Sequence, residues 1–192
     1  MGLKKMALCS SSHSSFWSLI RITNWHITGE SMTDALSIII DKHSLLPLSN
    51  VWGQGLSSSS DGQFFPSGGS GEAMNLINAK YGMSPGVKAY THVSDQYGPF
   101  AVKTIPATVF EAPYILDGLT MNETGKRIKE HYVDTGGFTD HVFAMCSLLG
   151  YQFTPRLRNL SSLNLYGMSG IILPKVMREL VTAKGVMMES CV

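Results

Sequence analysis

Charge is scarce in this chain. Only 15% of its 192 residues are Asp, Glu, Lys or Arg, and the formal net charge is +1. An independent DNA-binding module carries a strong basic excess, so a nucleic-acid role here would need local basic clusters or further protein. Cysteine is equally scarce. Cys9, Cys146 and Cys191 are odd in number and far apart, and no C-x-x-C pair occurs. That argues against a disulfide framework or a standard zinc spacing and points to a reduced, cytoplasmic chain. No apolar run approaches the ~20 residues of a membrane helix, so no membrane association is expected. Lys4 and Lys5 precede the polar stretch Ser10 to Ser15 rather than an apolar one, which does not read as a signal peptide. Ser57 to Ser60 lack the G-x-S-x-G elbow of a serine nucleophile. No internal repeat is visible. A 44% hydrophobic content is enough for one core, and one domain is the default.

What the chain does have is two short segments that each place an aspartate among small residues. Asp61 follows four serines, Ser57 to Ser60, and precedes Gly62. Asp134 ends the strand-like run Ile128 to Asp134 and is closely followed by Gly136 and Gly137. Carboxylates in such settings can reach solvent, a metal ion or a phosphate. Two of them brought together by the fold are what a two-metal phosphoryl-transfer site requires. By composition alone, Asp61 reads first as a turn aspartate, and Asp134 reads equally as a turn or helix-entry residue.

Around these segments the chain alternates between element types. Residues 14 to 27 are weakly periodic. Ser31 and Asp34 suggest a capping pair for a helix through Ile38 and Ile39 that ends near His43, ahead of Pro47. Residues 53 to 72 are rich in Gly and Ser and read as a linker or as a loop folded over a site. Val87 to Val93 and Phe100 to Val109 read as strands joined by the turn Ser94 to Pro99, with Pro106 suited only to an edge or a bulge. Ala112, Ile115, Leu116 and Leu119 mark one face of a helix. Thr139 opens another, with Val142, Met145, Cys146 and Leu149 as its stripe and Gly150 as its stop. Tyr151 to Leu157 is a further strand and Pro174 to Ala183 a further helix, with an extra strand around Val51 or Phe64 left open. This order suggests an α/β mixed sheet with helices on its faces, where sites collect at the carboxyl ends of strands. Asp134 sits at such an end.

Other polar residues have ordinary readings. Asp140 is a first-turn helix acid, and His131, Asp134, Asp140 and His141 only mimic a metal cluster. Arg156 and Arg158 would alternate on a strand, either as a solvated face or as phosphate contacts. Lys88 and Lys103 read as solvated, and the three tryptophans as core.

Longer motifs add a resemblance. The runs Leu46-Pro47-Leu48-Ser49-Asn50-Val51-Trp52-Gly53-Gln54-Gly55 and Ser58-Ser59-Ser60-Asp61-Gly62-Gln63 resemble the catalytic domain of the Tn3 family of replicative transposases. So do Tyr90-Thr91-His92-Val93-Ser94-Asp95-Gln96-Tyr97, Tyr114-Ile115-Leu116-Asp117-Gly118-Leu119, the His131 to His141 segment and Phe153-Thr154-Pro155-Arg156-Leu157-Arg158. The resemblance runs from about residue 2 to about residue 166. It implies an RNase H-like fold and a triad of two aspartates and a glutamate that binds divalent metal, Mg²⁺ or Mn²⁺. Asp61 matches the first aspartate and Asp134 the second. The implied partners are transposon-end DNA, target DNA and full-length transposase, with Arg156, Arg158 and His92 as candidate DNA contacts. The implied chemistry is nicking at transposon ends, then attack of the freed 3′-hydroxyl on target DNA.

Two departures follow. Gln54 stands where the family commonly has Asp. The family's glutamate lies on a downstream helix, and from about Gly167 no match is read. The expectation is therefore a helical lead-in over 1–46, a partial catalytic domain over 47–166 and a divergent tail over 167–192. Such a fragment has two of the three acids, an RNase H-like sheet incomplete at its C-terminus and no independent activity. A non-catalytic DNA- or transposase-binding remnant, or a nuclease with a substitute acid, are the alternatives. Glu179 is the tempting substitute and is expected to point away from the aspartates.

Overall fold

The computed structural model describes residues 2–9, 15–68, 76–121, 124, 127–158, 172, 174 and 175. The chain divides into two compact units, Met1–Arg156 and Leu157–Val192. All elements below lie in the first. The predicted helix at 174 to 183 falls almost wholly outside the described residues, as does Glu179.

Six strands form one mixed sheet. Its centre is β1 (Ser57–Pro66), which pairs antiparallel with β3 (Pro85–Ser94) on one side and parallel with β5 (Glu130–Val133) on the other. Beyond β3 lies β4 (Pro99–Pro106), antiparallel, and beyond β5 lies β6 (Gln152–Pro155), parallel. The short β2 (Leu76–Ile77) adds two pairs to the start of β3. Three antiparallel strands followed by two parallel ones make an RNase H-like α/β sheet. Pro106 closes the edge strand β4, where a missing N–H breaks no inner ladder.

Among the described residues six helices accompany the sheet: α1 (Leu3–Cys9), α2 (Phe16–Trp25), α3 (Gly29–Ser44), α4 (Ser49–Trp52), α5 (Pro113–Thr120) and α6 (Asp140–Leu148). The cap of α3, Thr28, lies three residues ahead of the predicted one, Ser31. Thr28 and Ser31 form a reciprocal capping box instead, because each side chain can reach the other's backbone N–H. α5 and α6 form as the periodicity predicts. Pro113 sits in the first turn of α5, Thr139 caps α6 through the Val142 N–H, and Gly150 takes a positive φ of 83° after α6.

The core gathers on one face of the sheet. Tyr90, Phe100, Ile105, Val133 and Phe153 meet Ile40 of α3, Ile115 and Leu119 of α5, and Val142 and Cys146 of α6. Each large apolar side chain buried there contributes about 1.5–3 kcal/mol. On the opposite face of the two central strands, Ser59, Asp61 and Gln63 of β1 and Tyr132 of β5 are exposed among the described residues.

Three expectations change. Residues 57–66 are a central strand, not a linker or loop. Trp17, Trp25 and Trp52 are 75%, 77% and 61% exposed rather than core. Lys88 is buried, not solvated: its ammonium pairs with Glu111 at 2.8 Å and donates to the Val109 carbonyl at 2.6 Å.

Candidate active site

The site is built on a strand that propensity would not choose. Serine is a weak strand former, yet strand preference mostly reflects how side chains fit their neighbours. In β1 the serines alternate. Ser58 and Ser60 point into the core, while Ser59 and Asp61 face outward. The entrance to β1 is anchored by Asp95 in the β3–β4 turn. Its carboxylate accepts from the Gly55 N–H at 2.8 Å and the Ser57 N–H at 3.4 Å, and its own N–H donates to the Ser57 carbonyl at 2.9 Å. Gln96 next to it donates to the Gly53 carbonyl and to Asn50. The Trp52–Gly55 and Ser94–Tyr97 motifs are thus two sides of one clamp. Gln54 is exposed beside it, ahead of the strand. Ser57 to Asp61 alone spans roughly 13 Å at 3.3 Å per residue, so Gln54 stands away from the aspartates rather than near them.

Register then brings the two aspartates together. β1 and β5 pair as Ser57↔Glu130, Ser58↔His131, Ser59↔Tyr132 and Ser60↔Val133, a constant offset of 130 − 57 = 73 residues. Asp134 follows Asp61 by the same offset (134 − 61 = 73), so the two lie opposite each other one step past the last pair. Both positions are exposed. Neighbouring strands run ~4.8 Å apart, which sets the spacing of the two backbones. Asp61 is therefore a mid-strand residue on the open face, not a turn aspartate. Asp134 is the N-cap of a 3-10 turn, Thr135–Gly137.

Each carboxylate is held by backbone donors. Asp134 Oδ1 accepts from the Gly136 N–H at 2.9 Å and the Gly137 N–H at 3.2 Å. Asp61 Oδ1 accepts from the Gly62 N–H at 2.8 Å. The second oxygen of each has no hydrogen bond among the described residues. Two outward carboxylates with open oxygens suit a hard, oxygen-binding dication such as Mg²⁺ or Mn²⁺. No group of three or more His, Cys, Asp or Glu able to hold a metal occurs among the described residues. His141 and Asp140 are exposed on α6, and His131 is buried, so the four-residue cluster suggested by the sequence does not assemble.

Glu111 is an acid that sequence reasoning passed over. A Cβ on Gly62 would lie 2.7–2.8 Å from its carboxyl group, so Gly62 lets that carboxyl approach the backbone immediately after Asp61. Glu111 is held there by Lys88. Tyr90 reports the charge of this region. Burial pushes its phenol up, a hydrogen bond with Ser60 works against that, and the negative charges of Glu111, Asp61 and Asp134 add to the rise. The signal in the sequence was an acid between an edge strand and a proline-initiated helix, which is too common to single out.

The expected DNA contacts divide. His92 is only 2% exposed, its Nε2 lies 3.1 Å from the Ile115 carbonyl, and burial lowers it to about 4. A buried, neutral ring cannot meet a phosphate, and His92 belongs to the core. Arg156 and Arg158 are exposed, but β6 ends at Pro155, so they do not alternate on a strand. The Arg156 backbone donates to the Val133 carbonyl at 2.8 Å, fixing its start point beside Asp134. Lys80 is a further exposed cation. Its ammonium is held above its ordinary value by Tyr81, with Glu111 and Asp134 adding to the effect.

Comparison with known proteins fits this geometry. The family model described as "Tn3 transposase DDE domain" matches residues 1–190. The chain belongs to the Tn3 transposase DDE domain family. That match runs past residue 166, where the resemblance was expected to stop. Among similar proteins, the transposase for transposon Tn501 of Pseudomonas aeruginosa is 43% identical over 181 residues, covering 94% of this chain and 18% of that protein. The Escherichia coli transposases for Tn3926 and Tn2501 are 44% and 45% identical, each over 86% of this chain and 17% and 16% of their own lengths. The chain thus spans less than a fifth of these curated relatives. No helix among the described residues is long and apolar enough to cross a membrane.

Proposed function

We propose that this DDE-family chain supplies the paired aspartates of a DNA transposase, with Asp61 and Asp134 as its metal-binding carboxylates. The observation that carries this reading is the 73-residue register of β1 and β5, which sets the two acids on the same exposed face of adjacent strands. Asp61 and Asp134 would hold a divalent ion, which when bound would supply activation of the attacking oxygen and charge stabilisation of the leaving one in phosphodiester displacement. The chain's own residues prepare that site. Gly62, Gly136 and Gly137 donate to one oxygen of each aspartate, which fixes the orientation of the other. Arg156, Arg158 and Lys80 are exposed cations suited to backbone phosphates of transposon-end and target DNA.

In this reading the chain carries two of three acids. Glu111 is engaged by Lys88, and we assign Glu179 no catalytic part. The chain alone then binds metal but neither nicks nor joins DNA. Calorimetric titration with Mn²⁺ tests the first half: Asp61→Ala and Asp134→Ala should each abolish binding, and unchanged affinity in both would sink the assignment. Incubation with transposon-end DNA and Mg²⁺ tests the second. Cleavage that disappears in Glu179→Gln would instead make the chain a complete nuclease.

A further inference from the structure

The register that pairs the aspartates has a visible lock on the other side of the sheet. His131, fully buried on β5, sits between two hydroxyls of β1: Ser58 Oγ lies 2.7 Å from its Nδ1 and Ser60 Oγ 2.9 Å from its Nε2. Ser60 Oγ also lies 2.8 Å from the Tyr90 hydroxyl of β3, and Ser58 Oγ donates to the Glu130 carbonyl at 3.4 Å. One proton arrangement satisfies all of these. Tyr90 donates to Ser60, Ser60 donates to His131 Nε2, His131 Nδ1–H donates to Ser58, and Ser58 donates to Glu130. Every hydroxyl and both ring nitrogens are used, and the relay ties together β3, β1 and β5. The imidazole is held from its flanks by stacking on His92 at 5.4 Å and Phe153 at 6.3 Å.

We infer that His131, clamped by Ser58 and Ser60, is the positioning residue that sets the register of β1 against β5 and thereby places Asp61 opposite Asp134. This rests on the reading of those aspartates as metal ligands. A hydrophobic contact here would tolerate slippage, because it has no direction. Two hydroxyls two residues apart that grip both nitrogens of one ring fit a single register. A one-residue slip would turn Asp61 into the core, and a two-residue slip would put one serine in the other's place and leave one ring nitrogen facing Leu56 or Gly62 instead of a hydroxyl. Ser60 is bonded into the relay and is adjacent to Asp61, so the lock acts one residue from the acid it positions.

The test uses the whole chain, with Mn²⁺ as the probe, and compares Ser58→Ala/Ser60→Ala, His131→Phe and Ser60→Thr with the aspartate variants. Loss of register would part the two acids, so the double serine variant and His131→Phe should weaken Mn²⁺ by about tenfold, the low end of the effect of residues that orient metal ligands, while remaining folded by circular dichroism. Ser60→Thr, which keeps the hydroxyl, should restore near-native affinity. NMR should show His131 as the Nδ1–H tautomer. Inter-strand NOEs between Ser59 and Tyr132 should be strong in the parent and lost or heterogeneous in the double variant. A purely stabilising role would lower the melting temperature and leave both metal affinity and NOEs unchanged, and that outcome overturns the inference. If Asp61→Ala and Asp134→Ala leave Mn²⁺ binding intact, the metal reading fails instead. The NOEs then decide the register claim alone, their persistence in the double variant refuting it.

Discussion

Acid should unfold this protein through two buried histidines. His92 and His131 are 2% and 0% exposed, and burial lowers them to about 4 and about 3, with each other's proximity adding to the effect on His131. In the unfolded chain both titrate near 6.5. Both folded values are depressed, so the unfolded chain binds more protons at every pH between those values and 6.5. Stability is therefore full above about pH 6.5 and falls as pH drops towards 4 and 3. The groups facing these rings are Tyr90, Ser58, Ser60 and the Ile115 carbonyl, with Asp117 acting on His92 through its charge, and none provides a full compensating partner. Each ring loses about 1.4 kcal/mol per pH unit, so at pH 4.5 the two together remove roughly 5 kcal/mol. That is between about a third and all of the ~5–15 kcal/mol that stabilises an ordinary domain. Urea titrations followed by circular dichroism at pH 7.5, 6.5, 5.5 and 4.5 give the slope directly. His131→Phe should be less stable at pH 7.5, through the lost hydrogen bonds, yet lose stability about half as steeply on acidification. A flat profile between pH 6.5 and 4.5, or a slope unchanged in His131→Phe, would refute the account of the buried pair.

Other consequences concern packing and charge. Glu111→Ala should destabilise the fold by about 3–5 kcal/mol, because it strands the buried Lys88 ammonium, whereas Lys88→Met/Glu111→Leu should cost much less; a double-mutant cycle by denaturation checks this. Gly118→Ala would drive a Cβ into the His92 ring and should cost at least about 1–3 kcal/mol, partly recovered in combination with His92→Ala, measured by thermal melts. In chelator, Asp61→Asn should raise the melting temperature slightly by relieving repulsion between the two acids, and added Mn²⁺ should stabilise only the parent.

The sequence disclosed elements wherever burial imposes a period. Val87 to Val93 alternates because successive β3 side chains point to opposite faces of the sheet, one of them buried, and Ile115, Leu116 and Leu119 recur at helical spacing because α5 lies on the core. β1 stayed hidden for a physical reason. Its inward residues are hydroxyls that bond to His131 and Tyr90 instead of packing, so the strand carries no hydrophobic alternation. The aspartates were visible as small-residue motifs, but their adjacency is a product of parallel pairing across 73 residues, which no local pattern encodes. Lys88, read as solvated, and His92, taken as a DNA contact by resemblance, misled because their burial is also a product of the fold. A polar residue alternating on a strand reads as solvated until the fold supplies Glu111 or the Ile115 carbonyl beneath it.

The most direct measurement of the central claim is paramagnetic broadening by Mn²⁺ in an amide NMR spectrum of the whole chain. Bound Mn²⁺ should erase signals from Asp61, Gly62 and Asp134 to Gly137 together at the lowest metal concentrations, and Asp61→Ala should protect the Asp134 segment as well as its own. Broadening confined to one segment, or unaffected at Asp134 to Gly137 when Asp61 is removed, would show that the two aspartates do not share a metal and would contradict the account.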